Sequence, residues 1–378
     1  MAAEASGPAG GKLRIALVID NLARAGAQRQ ACLLLRGLHA RGHALLLLVL
    51  NDDTDAANLA QVSAMATVEV IGKARLVAGL GPFGLMRRFR AWRPDVIVTM
   101  LEVSDLLGRI AGRLYARAPV ITSIRARNAQ KSAWWFWLDR RTMAWADRVV
   151  FNSAAVVASS QHAEGVRQEQ VRVICNGVEV PDSHVHPANA ESLGIKPGSR
   201  LLLAVGRLQA QKRFGVLLEA MARLPDSLGR VELLVAGAGP MHGELVRHAA
   251  ALGLTGRVHF LGNREDVPAL LAAADLFVLP SAWEGMPNAV MEAMAAGCPV
   301  VATSIDGNLE LLPDASFGWL VEPGNPGQLV AALAEALSNR DEAKRRARRA
   351  RARAIESFGV EAMVSKYEAL FHELAAGT

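Results

Sequence analysis

The chain has 378 residues, enough for two ordinary domains, and 51% of them are hydrophobic at a mean hydropathy of +0.19, which excludes disorder as the default state. Its longest uninterrupted apolar run, ALLLLVL from Ala44 to Leu50, falls short of the ~18 residues a membrane-spanning helix needs, and the opening MAAEASGPAGGK lacks an apolar signal core, so a cytoplasmic protein is expected. Lys and Arg outnumber Asp and Glu by 42 to 36, which points to an acidic partner such as anionic lipid or nucleotide phosphate, while Cys32, Cys175 and Cys298 form no close pair and argue against a disulfide or zinc framework.

Along the chain, apolar strand-like runs alternate with longer stretches of helical spacing, the pattern of parallel α/β architecture. In the first half the expected strands are 13–19, 44–50, 67–71, 95–100, 119–124, 148–152 and 171–176. After the first of them, IDNLARAGAQRQ sets Asp20, Asn21 and Gly26 ahead of an amphipathic helix, where backbone N–H groups could face an anion, although a plain turn has the same sequence signature. NDDTD (51–55) reads as a polar loop in preference to a metal-binding Asp pair. GPFGLMRRFRAWRP (81–94) and SAWWFWLDRR (132–141) mix aromatic residues with arginines, a composition that suits the surface of an anionic bilayer and equally an amphipathic helix packed on a sheet.

GVEVPDSHVHPANAESLGIKPGS has little periodicity and reads as an interdomain linker. A second α/β series follows, with strands expected at 200–206, 231–237, 257–262, 276–280, 299–303 and 318–323. Ligands of such sheets bind beyond the carboxyl ends of the strands, and two sheets in sequence leave a cleft between domains, so the residues after each strand are the places to search. LAVGRLQAQKRFGVLLEAM places Arg207 just after a strand and Lys212 at the onset of a helix, where two cations make most sense around an anion such as a diphosphate. VAGAGPMHGEL has Gly237 and Gly239 but not a full dinucleotide fingerprint, and reads as a tight turn.

SAWEGMPNAVMEAMAAGCPVVAT holds Glu284 and Glu292 in a nearly uncharged run. In one continuous helix they would lie ~12 Å apart along the axis and could not grip one small group. Gly285 and Pro287 instead predict a strand ending near Leu279, a loop through Glu284, and a helix from about Pro287. Further on, KRRARRARARA (344–354) reads as a solvated helical face.

With these residues in hand, VGRLQAQK, VAGAGP, the stretch from VHFLGNRED to CPVVAT, GNLELL and GWLVEPG together resemble retaining glycosyltransferases of family 4 over roughly residues 200 to 335. The resemblance implies a GT-B fold of two Rossmann-like parallel-sheet domains: an acceptor-binding domain over 1–182, a linker over 183–198, a nucleotide-sugar-binding domain over 199–357, and a final helix over 358–378 crossing back to the first domain. It implies that Arg207 and Lys212 hold the donor diphosphate, that Asn263 and Arg264 lie near the base, and that Glu292 binds the ribose hydroxyls. Glu284 and the loop around Gly285, Met286 and Asn288 would hold the transferred sugar, a task that suits a carboxylate able to accept two hydroxyl hydrogens. The cationic side chains imply that no metal or other cofactor is required.

Two departures stand out. The family's Gly-Gly-Ala-Glu turn appears as AGAQR, leaving Gly26 alone to carry over to the phosphate role, and SIRARN has Arg125 and Arg127 where many members place a histidine near the sugar. Some members that build lipid-linked oligosaccharides resemble this serine-to-arginine pattern, which makes Arg125 a further catalytic candidate. The expected activity is that of a retaining hexosyltransferase moving a sugar from a UDP- or GDP-sugar to a glycan or lipid-linked acceptor. An anionic membrane surface is an expected partner and nucleic acid is not. A nucleotide-sugar epimerase or phosphorylase, and a non-catalytic binding module, are the alternatives.

Overall fold

A computed structural model describes residues 11–74, 81–125, 132–181, 185–189 and 191–377. The chain divides into two compact units, the first running to Gly177 and taking in Val360–Thr378, the second spanning Val178–Gly359. The first dividing point precedes the expected linker. Val178 donates its N–H to the Phe358 carbonyl at 2.7 Å, and the described part of the 183–198 segment is bound within unit 2, with Lys196 N–H on Glu232 and Ala188 N–H on the Ala269 carbonyl.

Unit 1 contains β1 (Arg14–Ile19), β2 (Ala44–Val49), β3 (Thr67–Val70), β4 (Val96–Met100), β5 (Val120–Ile124), β6 (Arg148–Phe151) and β7 (Val171–Val173) in one sheet of order β3-β2-β1-β4-β5-β6-β7. Every pairing is parallel. The inner strands β1, β2 and β4 are covered on both faces, which is why they read as nearly continuous apolar runs, while the edge strands β3 and β7 stay partly exposed. Alternate side chains of β1 serve different layers. Ile15, Leu17 and Ile19 pack with α1 (Gly26–Ala40) and the terminal helix α14 (Val360–Ala376), whereas Ala16 and Val18 join Leu85 and Phe89 of α3 (Gly81–Trp92) and Ala111 of α4 (Glu102–Ala111). The second layer continues through Met143 of α5 (Ala133–Met143) and Val156 of α6 (Ala154–Glu164), while the short helix α2 (Ala56–Ser63) lies against α1.

Buried ion pairs lock both layers. Glu368 of α14 meets Arg41 and, at 2.8 Å, His43, and these bonds hold its carboxyl below the usual range although burial alone would raise it. In the other layer Arg109 of α4, 1% exposed, reaches Asp139 of α5 at 2.6 Å.

Unit 2 contains β8 (Arg200–Val205), β9 (Val231–Ala236), β10 (Val258–Gly262), β11 (Leu276–Leu279), β12 (Val300–Thr303) and β13 (Trp319–Val321), all parallel, in the order β10-β9-β8-β11-β12-β13. The order reverses between β8 and β11, the switch point at which such sheets open a crevice. Around the sheet lie α7 (Phe214–Ala222), α8 (His242–Ala251), α9 (Val267–Ala273), α10 (Asn288–Ala296), the short α11 (Asp306–Leu311), α12 (Pro326–Ser338) and α13 (Arg340–Phe358).

The basic run on α13 forms the expected solvated face, with Lys344, Arg345, Arg348, Arg349 and Arg351 exposed, and two of its arginines also tie the helix to its neighbours. Its buried stripe Ala343, Ala347, Ala350 and Ala354 faces inward, and α13 packs on α10. Arg351 donates to the Ala295 carbonyl at the end of α10, and Arg353 to the Glu310 and Leu311 carbonyls at the end of α11. Cations suit helix C-termini, where unsatisfied carbonyls gather. Cys32 and Cys298 are buried, and burial pushes their thiols up to about 11 and about 12.

Candidate active site

In unit 2 the switch point gathers residues from both of its strands. The loop after β8 carries Arg207 and Lys212, and the loop after β11 carries Glu284. The loops are joined: Ala282 N–H donates to the Gln211 carbonyl at 2.8 Å, and Gln211 Nε2 donates to the Trp283 carbonyl at 2.7 Å. Lys212 Nζ lies 2.6 Å from Glu284 Oε1, with both side chains largely buried. Ser281, fully buried, donates its hydroxyl to the same oxygen at 2.7 Å, while Gln211 is 3.4 Å from Oε2. Glu284 is therefore aimed by two strong donors on one oxygen, and its second oxygen keeps accepting capacity for a hydroxyl. Lys212 and Glu284, assigned by the family resemblance to different parts of a ligand, form one ion pair here.

Three glycines make these loops fit, and the sequence reading passed over their role. A Cβ on Gly237 would lie 2.0 Å from the Gly206 carbonyl oxygen, and one on Gly239 would lie 2.4 Å from that of Leu208. The turn after β9 is thus more than a tight turn, because it is the floor on which the Arg207 loop lies backbone to backbone. Gly237 N–H also donates to Gly262 at 2.7 Å, tying the end of β10 to that floor. On the other side a Cβ on Gly307 of α11 would come 2.2 Å from the Gly285 carbonyl oxygen, so α11 buttresses the Glu284–Gly285 peptide. The spacing Gly-x-Gly was visible in the sequence, but nothing in it named the partner backbone.

Arg207 is exposed, and among the described residues its guanidinium has no acidic partner. Arg213 adopts a left-handed φ of 50° as the chain turns from Lys212 into α7. Asn263 and Arg264 are exposed just after β10, where Arg264 grips Asp266 through two bonds of 2.8 and 2.6 Å. That pairing draws the Asp266 carboxyl down. The helix α10 begins at Asn288 after Pro287, with Met286 buried ahead of it, so Glu284 and Gly285 lie in a loop. Glu292 is half-buried one helical turn after Asn288, on the same face.

The strand ends of unit 1 are arranged differently. Gly26 opens α1, and Asn21 accepts bonds from Gln28 at 2.6 Å and from Ala23 N–H. Asp20 turns toward the start of α4, taking the Ser104 N–H at 2.6 Å, the Ser104 hydroxyl and the Val103 N–H. Burial nevertheless raises its carboxyl above the ordinary range. Arg125, after β5, donates to Asn176 Oδ1 at 2.6 Å and approaches the Tyr367 hydroxyl at 3.5 Å, so it ties the strand end to the segment after β7 and to α14. Arg127 lies outside the described residues. The NDDTD loop contributes Asp55 as the cap of α2, accepting from Ala57 and Asn58.

His43, Glu368 and His372 bring their ligand atoms within 4.8 Å of one another. His43 Nδ1 accepts the Leu13 N–H at 3.1 Å, which leaves the proton on Nε2, the nitrogen 2.8 Å from Glu368. In that tautomer Nε2 has no lone pair for a metal, and the cluster reads as a structural tie.

Comparison with known proteins gives this geometry its context. The family model described as Glycosyltransferase Family 4 matches residues 24–181, and that described as Glycosyl transferases group 1 matches residues 185–353. The HepE protein of Anabaena, solved in complex with UDP and glucose, superposes with a TM-score of 0.82 at 24% identity, over 96% of this chain and 100% of that one. This is a GT-B glycosyltransferase fold. Among curated relatives of the GT-B chain is a UDP-Gal:alpha-D-GlcNAc-diphosphoundecaprenol alpha-1,3-galactosyltransferase of Escherichia coli, 28% identical over 63% of this chain and 65% of its own length. The lipopolysaccharide core biosynthesis glycosyltransferase LpsE of Rhizobium meliloti is 30% identical over 53% of this chain and 57% of its own. The matches thus span less than two thirds of the length of these curated relatives.

Proposed function

We propose that the chain transfers a hexose from a UDP- or GDP-sugar to a glycan or lipid-linked acceptor with retention of anomeric configuration, in the synthesis of a cell-surface polysaccharide or glycolipid. The observation that carries this reading is the Lys212–Glu284 pair at the β8/β11 switch point, with Arg207 exposed in the same loop as Lys212. In the reaction the bond from the sugar's anomeric carbon to the donor phosphate breaks, and its electron pair stays on the diphosphate. A bond from the anomeric carbon to the acceptor oxygen forms, and the acceptor's hydroxyl proton passes to the departing diphosphate oxygen. Arg207 and Lys212 compensate the charge that grows on the leaving diphosphate, which makes the chemistry independent of a metal. Glu284 and the loop at Gly285, Met286 and Asn288 hold the sugar, Glu292 holds the ribose, and Asn263 and Arg264 border the base. Gly26 and Arg125 are assigned to the acceptor-binding unit.

The relatives support this reading, since one of them transfers galactose from a UDP donor to a diphosphoundecaprenol-linked sugar and another acts in lipopolysaccharide core synthesis. The neighbouring HepE structure contains UDP and glucose. A panel of UDP-, GDP- and ADP-sugars in a thermal shift assay identifies the donor, because a ligand at 100 times its dissociation constant adds ~2.7 kcal/mol. Acceptor-dependent release of the nucleoside diphosphate, with NMR of the product's anomeric proton, then tests transfer and retention. Stabilisation by a donor without turnover on any glycan or lipid extract would reduce the chain to a binding module.

A further inference from the structure

Two helices of one layer of unit 1 carry the same unusual outer face. In α3 the exposed stripe runs Phe83, Arg87, Arg90, and in α5 it runs Trp134, Trp137, Arg141. These spacings of three, four and seven residues place each trio on one side of its helix. The inward sides are already filled, by Leu85 and Phe89 in α3 and by Asp139, Thr142 and Met143 in α5. Core packing therefore accounts for neither stripe, although Phe83 is 64% exposed, Trp134 60% and Trp137 56%.

The order along each stripe is also shared, with rings nearer the helix N-terminus and arginines further on. Helices that connect parallel strands run opposite to them, so both sets of rings stand at the edge of the sheet where the strands end. The arginines follow ~6–10 Å behind along the axis. That offset matches the ~5–10 Å by which apolar faces sink into the boundary between headgroups and acyl chains. It would bring the arginines to the level of the lipid phosphates, which guanidinium groups bind through paired hydrogen bonds. Neither helix exposes an acidic side chain among the described residues, since Asp139 is buried on Arg109. The guanidinium of Arg141 stays 5.2 Å from the Trp137 ring, a pairing that keeps cation and ring together on the surface.

We propose that α3 and α5 seat unit 1 edge-on on an anionic bilayer, with Phe83, Trp134 and Trp137 at the acyl boundary and Arg87, Arg90 and Arg141 on lipid phosphates. The inference extends the proposed function, for it puts the strand-end edge of the acceptor-binding unit at the surface where a lipid-linked acceptor is presented. It is read without any donor or acceptor, so the two proposals fail separately.

The test is co-sedimentation of the full chain with phosphatidylcholine vesicles, with and without phosphatidylglycerol. Binding is expected only to the anionic vesicles and to weaken as salt is raised. Trp134→Ser with Trp137→Ser, and separately Arg87→Glu with Arg90→Glu, are each expected to lower the vesicle partition coefficient at least tenfold. Arg348→Glu, on the exposed basic face of unit 2, should leave it unchanged. Quenching of tryptophan fluorescence in the unaltered chain by brominated anionic lipid, expected here, keeps the test open should a variant misfold. The proposal is overturned if the chain does not pellet with anionic vesicles at low salt, if folded α3 and α5 variants pellet as well as the parent, or if Arg348→Glu abolishes binding. A change in sedimentation coefficient without lipid, with vesicle binding unaltered, would reassign the face to contact between copies of the chain.

Discussion

The two units share a parallel-sheet plan and use their strand ends in opposite ways. In unit 2 the charges after β8 and β11 meet each other, as Lys212 on Glu284, over glycines that let the loops touch. In unit 1 the comparable charges serve their own framework: Asp20 caps α4, and Arg125 binds Asn176 and Tyr367. One sheet type can thus give a loop constellation aimed at a ligand or a set of structural ties, depending on which side chains follow the strands. The first arrangement should register in turnover and affinity, and the second in stability.

The largest expected effect tests unit 2. Glu284→Ala should lower kcat on the order of a hundredfold, as misplacement of a reacting group does, with a smaller change in nucleoside diphosphate affinity by calorimetry. Unchanged kcat with the identified donor would sink the assignment. Lys212→Ala should weaken diphosphate binding by roughly 10- to 100-fold, the worth of a charged hydrogen bond of about 1.5–3 kcal/mol. Gly307→Ala introduces a methyl against the Gly285 carbonyl, an overpacking of about 1–3 kcal/mol that should raise KM for the donor and lower the melting temperature. Arg125→Ala sharpens the contrast, since it should cost about 1–3 kcal/mol in urea unfolding of unit 1 by removing the charged bond to Asn176 Oδ1, with donor affinity unchanged. Its opposite, loss of turnover at full stability, would move Arg125 from framework to catalysis. Ser281→Ala removes a single neutral-to-charged bond and should lower kcat only about fivefold, restored by Ser281→Thr.

Acidification probes a carboxylate of unit 2 that lies outside the proposed site. Burial by itself would raise the carboxyl of Glu232, but Arg230, Ser199, His259 and the Lys196 N–H bring it down to about 2 from an ordinary 4.5. A carboxylate depressed on folding adds stability that is complete above the unfolded value and is lost as pH falls through the folded one. Unit 2 should therefore lose this contribution between about pH 4.5 and pH 2, and Glu232→Gln should flatten that part of the curve.

Much of the fold was legible because its signals are local. The inner strands of both sheets fell on apolar runs, since a strand buried on both faces must be apolar at nearly every position, whereas the edge strands β3 (TVEV) and β7 (VRV) carry a charge and stay partly exposed. Gly285 and Pro287 separated the loop of Glu284 from the helix of Glu292 because a proline suits a helix start and a glycine resists a helix interior. The arginines of α13 were less legible. The spacing announces a helix, but only the packed neighbours reveal that Arg351 and Arg353 terminate α10 and α11 while Arg348 faces water.

By itself, then, the sequence determined two parallel-sheet α/β units, the loops that carry Arg207, Lys212 and Glu284, and the helix that carries Glu292, because apolar runs, helix starts and turns are set by residues near one another in the chain. Tertiary structure alone decided that Lys212 and Glu284 would meet, that Gly237, Gly239 and Gly307 would each face another backbone, and that Asp20 and Arg125 would be taken up by their own framework. Those outcomes depend on strand order, which brings β8 beside β11 across seventy residues of intervening chain. No local rule encodes the distance between two strand ends until the sheet has formed.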